Sequence, residues 1–223
     1  MLTKGGKRIW VSDVSHPWFD EKGAIIGSIG SLRDITDRVE ALSTVEEAAR
    51  HAMQIDEVTG IKTRPYFFER LDNELKRIQR NHTELSILVI EVDHFQDILD
   101  GYGAEFSNIV LKAIAKKVYD GMRCTDEITL LSGGEFGVIL PDTLEDGAIY
   151  LAEKIQDAIS KQTIASGVGG ASIGCTVSIG VAMAKSTDEI DAASLYKVAG
   201  TRLFIAKSNG QNQIGMDSIT QMH

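Results

Sequence analysis

Two apolar runs, Glu127 to Leu131 and Glu135 to Leu140, are separated only by Ser132-Gly133-Gly134. Runs of this length are strands, and so short a glycine-rich connection turns the chain straight back, which predicts a tight antiparallel hairpin. The segments around it alternate between strand and helix patterns. Leu85 to Val92 is a continuous apolar strand with acids at its end, and Phe106, Val110, Ile114 and Val118 mark a following helix. An earlier helix carries Phe67, Phe68, Leu71, Leu75 and Ile78 on one face, with Thr63 placed to cap it and Pro65 tolerated in its first turn. Thr143-Leu144-Glu145-Asp146 reads as a capping box for a helix through Ile159, Cys175 to Met183 as a strand, and Ala192 to Lys207 as a final long helix. The order is mixed α/β with an antiparallel hairpin, and alternation by itself does not choose the topology.

Ahead of this region, Arg8 to Ser15 is partly alternating, Asp20-Glu21-Lys22-Gly23 supplies a turn, and a second β-prone run covers Ala24 to Leu32, which predicts another hairpin. From Asp37 to about Ile55 there is no proline or glycine, and Val39, Leu42, Val45, Ala49 and Ala52 recur at helical spacing. This amphipathic helix serves either as a connector packed on its own domain or as a short parallel coiled coil joining a homodimer. The formal net charge of -9, without a local basic patch, excludes extended binding to DNA or RNA but leaves a small nucleotide open. Cys124 and Cys175 form no CxxC, histidines are not clustered and the start is not signal-like, so a reducing cytoplasm without structural zinc is expected. No apolar run is long enough to cross a bilayer.

Five residues before the signature-like turn Ser132-Gly133-Gly134-Glu135-Phe136 stands Arg123-Cys124-Thr125-Asp126. Guanine offers two acceptors on one edge and two donors on another, which an arginine fork and a carboxylate match. Together these stretches resemble the inhibitory RxxD site and the signature motif of the GGDEF family of diguanylate cyclases, which join two GTP molecules into cyclic di-GMP. Further similar motifs follow in order: Asp56-x-x-Thr59-Gly60 with Arg64, Asp93-x-Phe95, Asp100-x-x-Gly103, Thr176 to Gly180, and Ala206-Lys207-x-x-Gly210-x-Asn212. Several motifs in the right order are far more specific than one. The resemblance runs from Asp56 to about Asn212 and implies a nucleotidyl-cyclase palm, a ferredoxin-like mixed sheet flanked by helices. Pro17 to Gly23 and Asp34-Ile35-Thr36 resemble the end of a PAS sensor domain. The implied organisation is a PAS C-terminal fragment over 1–36, a signalling linker helix over 37–55 and a GGDEF domain over 56–218.

Joining a hydroxyl to an α-phosphate needs divalent ions on carboxylates and neutralised phosphates. The resemblance places the metal acids at Glu91 and at the third position of the turn, which is Gly134 here. Glutamate can still ligate magnesium, but glycine has no side chain to do so. Glu91, Asp93 and Glu135 are the candidate remnant of a metal site, with Glu135 a vestigial catalytic acid; the alternative is that Glu91 and Asp93 are solvated carboxylates at a strand end. Lys207 is retained for phosphate. The implied substrate contacts are altered at Gln96, Leu99, Asn108 and Gln211, and Leu130 replaces an arginine before the turn. Leu99 cannot hydrogen-bond a base edge, and an unpaired buried polar edge costs about 1–3 kcal/mol.

The second site is intact by the same comparison: Arg123 and Asp126 supply both guanine-reading groups, and Lys154 occupies a position where the family often has another basic contact. Without that placement an Arg and an Asp three apart would be a surface ion pair of little worth. Gly167-Val168-Gly169-Gly170 lacks the strand-then-helix context of a phosphate loop and reads as a flexible loop. Three functions are therefore weighed: a degenerate domain binding cyclic di-GMP as receptor, a residual cyclase using magnesium and GTP with product feedback, and a dimerisation module that binds no nucleotide.

Overall fold

The computed structural model describes residues 9–39, 54–165 and 172–215. They fall into two compact units, Met1–Met53 and Gln54–His223. The first contains β1 (Val11–Phe19) and β2 (Ile25–Asp34), an antiparallel hairpin. Its turn closes on Asp20, whose carboxylate accepts the backbone N–H of Lys22 and of Ala24, both at 2.8 Å. Beyond β2, the Thr36 hydroxyl accepts the Trp10 N–H at 2.9 Å and donates to Asp34 at 2.6 Å, so the Asp-x-Thr segment ties the two strand ends together. Trp18, Ile25, Ile26, Ile29 and Leu32 are each more than half exposed on this hairpin.

The second unit runs β3 (Lys62–Thr63), α1 (Arg64–Asn81), β4 (Glu84–Val92), α2 (Phe95–Gly121), β5 (Glu127–Ser132), β6 (Glu135–Pro141), α3 (Glu145–Ser160), β7 (Thr163–Ala165), β8 (Ser172–Gly174), β9 (Val177–Lys185), α4 (Ala192–Ser208) and β10 (Ile214–Gly215). The main sheet is ordered β10-β9-β4-β6-β5-β3. Within it, β4 pairs antiparallel with both β6 and β9, and β5 pairs antiparallel with β6. Thus β4-α2-β5 and β6-α3-β9 are parallel crossover units and the four long strands form the expected ferredoxin-like palm, extended at each edge by a two-residue parallel strand.

The sheet is covered on both sides, which is why β4 carries apolar side chains on both faces, unbroken from Ile87 to Ile90. Leu85, Ile87 and Val89 join Phe67, Leu71 and Ile78 of α1 and Leu195 and Ala199 of α4 in one core. Leu88, Ile90 and Val92 join Val110 and Ile114 of α2 and Ala152 and Ile155 of α3 in the other. Each fully buried side chain of this size contributes roughly 1.5–3 kcal/mol. At Gly180 a Cβ would sit 2.0 Å from the Ala199 carbonyl oxygen, so glycine lets α4 lie directly on the β9 backbone.

Local details depart from the sequence reading. Thr143 does not form a capping box: the residue before α3 is Leu144, and the Thr143 hydroxyl donates to the Pro141 carbonyl at 2.9 Å. Thr63 precedes α1 but makes no side-chain cap to it. The late strand is shifted to Val177–Lys185, and the small β7-β8 hairpin carried no recognisable signal. Gly103, at φ +80°, breaks the geometry inside α2. Helix is present at 36–39, whereas most of the linker expected over 37–55, together with the Gly167–Gly170 loop, lies outside the described residues. The linker does not reach Ile55, which forms a β-bridge with Lys62. No helix among the described residues is long and apolar enough to cross a membrane.

Candidate functional site

The β5-β6 hairpin carries two candidate sites, one at its turn and one at its open end. At the turn, Gly133 and Gly134 connect Ser132 to its partner Glu135, with an irregularity between Leu130 and Ser132. Gly134 takes φ +83° and is buried against Phe95, whose Cγ would lie 2.7 Å from a Cβ added there. Gly134 leaves no vacancy in the turn, because the Phe95 ring occupies the space where a side chain would start.

Glu91 and Glu135 stand directly opposite each other on β4 and β6. Both are engaged. Lys207 of α4 donates to Glu91 at 2.6 Å, with each side chain about one third exposed. Glu135 accepts the Tyr196 hydroxyl at 2.6 Å and the Ser132 hydroxyl at 3.0 Å. Burial first, and then the bond to Glu135, push the Tyr196 phenol up from its ordinary value. Arg64 lies 5.1 Å from the ring centroids of both Phe68 and Tyr196, a cation–π contact with each.

Asp93 does not join this pair. It is 3% exposed and its carboxylate accepts from the Thr176 hydroxyl at 2.6 Å, the Ser178 hydroxyl at 2.7 Å and the Asn212 N–H at 3.0 Å. Three bonds satisfy a carboxylate that would otherwise be costly to bury, so it clamps β4, β9 and the turn after α4 instead of being solvated. Among the described residues, no three His, Cys, Asp or Glu side chains gather into a metal-binding group. Magnesium usually takes one or two protein carboxylates plus substrate phosphates, and the two positioned for that here are Glu91 and Glu135. Both would have to release their present partners. Gln96 turns to Asp100 at 2.8 Å, and Leu99 and Asn108 are half-buried on α2.

At the open end, Arg123, Asp126 and Lys154 line one cavity of about 240 Å³ together with Thr143, Tyr150 and Leu151. Arg123 and Lys154 are exposed and neither has an ion pair among the described residues, whereas Asp126 is 9% exposed. The Asp126 carboxylate accepts the Arg123 N–H at 2.7 Å, and the Arg123 carbonyl accepts the Asp126 N–H at 3.1 Å. Asp126 is thus a staple of its own turn as well as a wall of the cavity. The turn is seated from outside: the next residue, Glu127, pairs with Arg70 at 2.5 Å and accepts the Tyr66 hydroxyl.

Sequence reasoning missed Tyr196, Tyr150 and this Arg70–Tyr66 brace. Tyr150 had a signal, since it lies four residues before Lys154 and off the apolar face of α3 formed by Ala148, Ala152, Ile155 and Ile159. Tyr196 had none, because its contact with Glu135 joins residues 61 apart in sequence.

A family model described as diguanylate cyclase, GGDEF domain, matches residues 53–213. Diguanylate cyclase DosC of Escherichia coli K12 is 30% identical over 169 residues, covering 76% of this chain and 36% of that protein. Diguanylate cyclase A of Treponema denticola is 32% identical over 203 residues, covering 90% and 52%. The chain therefore spans between about a third and a half of the length of these relatives. The GGDEF domain of TpbB (YfiN) from Pseudomonas aeruginosa superimposes with a TM-score of 0.68 at 26% identity, covering 72% of this chain and 92% of that one. The GGDEF domain of DgcB from Caulobacter crescentus, solved in complex with c-di-GMP, has a TM-score of 0.69 at 22% identity, covering 73% and 92%, a likeness of fold. The palm, its ordered motifs and a match over residues 53–213 agree: this chain belongs to the GGDEF domain family of diguanylate cyclases.

Proposed function

We propose that this domain binds cyclic di-GMP as a receptor and has lost cyclase chemistry. The observation that carries the reading is the gathering of Arg123, Asp126 and Lys154 around one cavity, with neither cation in an ion pair among the described residues. Arg123 matches the acceptor edge of guanine, Asp126 keeps acceptor capacity for its donor edge, and Lys154 balances phosphate. The signature turn supports the second half of the proposal. Gly134 offers no ligand and has no room for one, while Glu91 and Glu135 already hold Lys207 and Tyr196. If GTP and magnesium do dock, Glu91 and Glu135 would hold the ion and Lys207 the phosphates. The hairpin β1-β2 and the helix beyond it would carry a signal between a sensor partner and this domain.

Calorimetric titration tests the reading. Cyclic di-GMP should bind, and Arg123→Ala should weaken binding more than Lys154→Ala, since a bidentate base contact is worth about 1–3 kcal/mol whereas an exposed lysine adds attraction that salt screens. Saturating ligand at 100 times its Kd should raise stability by about 2.7 kcal/mol. Arg123→Ala is the cleaner variant, because Asp126→Asn also disturbs the turn's own hydrogen bond. No binding by the unmodified protein favours the dimerisation module, and multiple turnover of GTP to cyclic di-GMP by chromatography favours the residual cyclase.

A further inference from the structure

We infer that Tyr150 is a base-stacking residue, its ring forming the outer wall against which a purine of the bound cyclic dinucleotide lies flat. The inference rests on the reading that the Arg123–Lys154 cavity takes such a ligand. Tyr150 lines that cavity and is 70% exposed. A single exposed aromatic is ordinary, but this one lines a cavity whose two cations have no ion pair among the described residues.

Three features give the ring its role. Tyr150 lies one helical turn before Lys154 on α3, so ring and ammonium share a face of that helix, while Arg123 and Asp126 line the same cavity from the turn before β5. At about 240 Å³, the cavity falls below the roughly 300–1,000 Å³ of pockets that engulf a drug-sized ligand. A cyclic dinucleotide would therefore seat one base at Arg123 and leave its remaining apolar faces at the rim. Tyr150 is the only aromatic among the described residues lining the cavity, and the other apolar side chains there are Leu140 and Leu151. A flat π-face covers a base without reading its edge, while Arg123 and Asp126 supply the guanine specificity. The Tyr150 hydroxyl has no hydrogen-bond partner among the described residues, so the aromatic face is the part assigned a role, not the polar tip.

The test is titration of the whole chain with cyclic di-GMP, comparing Tyr150→Phe and Tyr150→Leu with the unmodified protein. Phenylalanine keeps the face and should bind within about twofold, whereas leucine keeps apolar bulk without the face and should weaken binding by about 5- to 100-fold. Ligand-free melting temperatures should stay together, because the position is 70% exposed. Ring-proton resonances of Tyr150 should move upfield on saturation, as stacking under a purine requires. Equal binding by Tyr150→Leu, or no ring shift in a protein that binds, overturns the inference and leaves the receptor standing. Equal weakening by phenylalanine and leucine overturns it in favour of a hydroxyl contact. Absence of binding by the unmodified protein overturns the reading of the cavity itself, and the stacking role with it.

Discussion

At the scale of the residue, Gly134 is fixed by the geometry of its turn. Its φ of +83° and the Phe95 ring beneath it both require glycine. Gly134→Ala should destabilise the domain by about 1–2 kcal/mol from backbone conformation alone, with more from the clash, measurable as a shift in urea midpoint. Gly134→Asp should likewise fail to restore synthesis of cyclic di-GMP, because the new side chain must first displace Phe95 and the base contacts at Leu99 and Asn108 remain altered. Product formation by that single variant, read by chromatography, would sink this account. Tyr66 gives a pH dependence. Burial, followed by its bond to Glu127, pushes its phenol up to about 12 from 10.0. In the unfolded chain the phenol ionises near 10, so the stability it confers is complete below that pH and is lost as pH rises from about 10 to about 12. Urea midpoints should fall through that window more steeply for the unmodified protein than for Tyr66→Phe.

At the scale of the element, α4 is held by a buried charge as well as by its apolar face. Arg202 is 8% exposed; its guanidinium donates to the Val181 carbonyl at 2.5 Å and pairs with Glu145 at 2.9 Å, joining α4, β9 and α3. Arg202→Met should cost about 1–3 kcal/mol, because hydrogen bonds from a charged donor are lost in a dry setting. Glu145→Gln should cost less than about 1 kcal/mol, since that carboxylate is 39% exposed. Comparable midpoints for the two variants in urea would contradict this ranking. The amphipathic segment that begins at Asp37 belongs to the same scale. Its apolar stripe is short and rich in alanine, so it should support only modest dimerisation, seen by light scattering as a dimer that dissociates on removal of residues 1–53.

At the scale of the whole molecule, the two units differ in what holds them. The palm has a strand, β4, buried on both faces between two cores. The β1-β2 hairpin leaves its large apolar side chains mostly in water, and an isolated two-stranded hairpin is marginal. Hydrogen exchange should therefore find the amides of β4, β6 and β9 protected up to the global unfolding free energy, and those of β1 and β2 exchanging at far lower cost. Equal protection of the two units would show that the hairpin is covered in solution.

The palm was legible because its evidence is local and periodic: β4 is apolar without a break from Ile87 to Ile90, α1 and α2 repeat at helical spacing, and glycines mark the turn between β5 and β6. The offset of Arg123 and Asp126 from that turn was also a property of the linear chain, and so was the glycine at the third position of the turn. Tertiary structure alone decided what the remaining acids do. Asp93, Glu91 and Glu135 are satisfied by Thr176, Lys207 and Tyr196, at separations of 83, 116 and 61 residues. Thr143 follows the same logic, since its hydroxyl was drawn to the Pro141 carbonyl instead of to the helix it precedes. The physical reason is that periodicity records which face a side chain buries, whereas the partner of a polar group is set by whichever donor the fold brings within 3 Å.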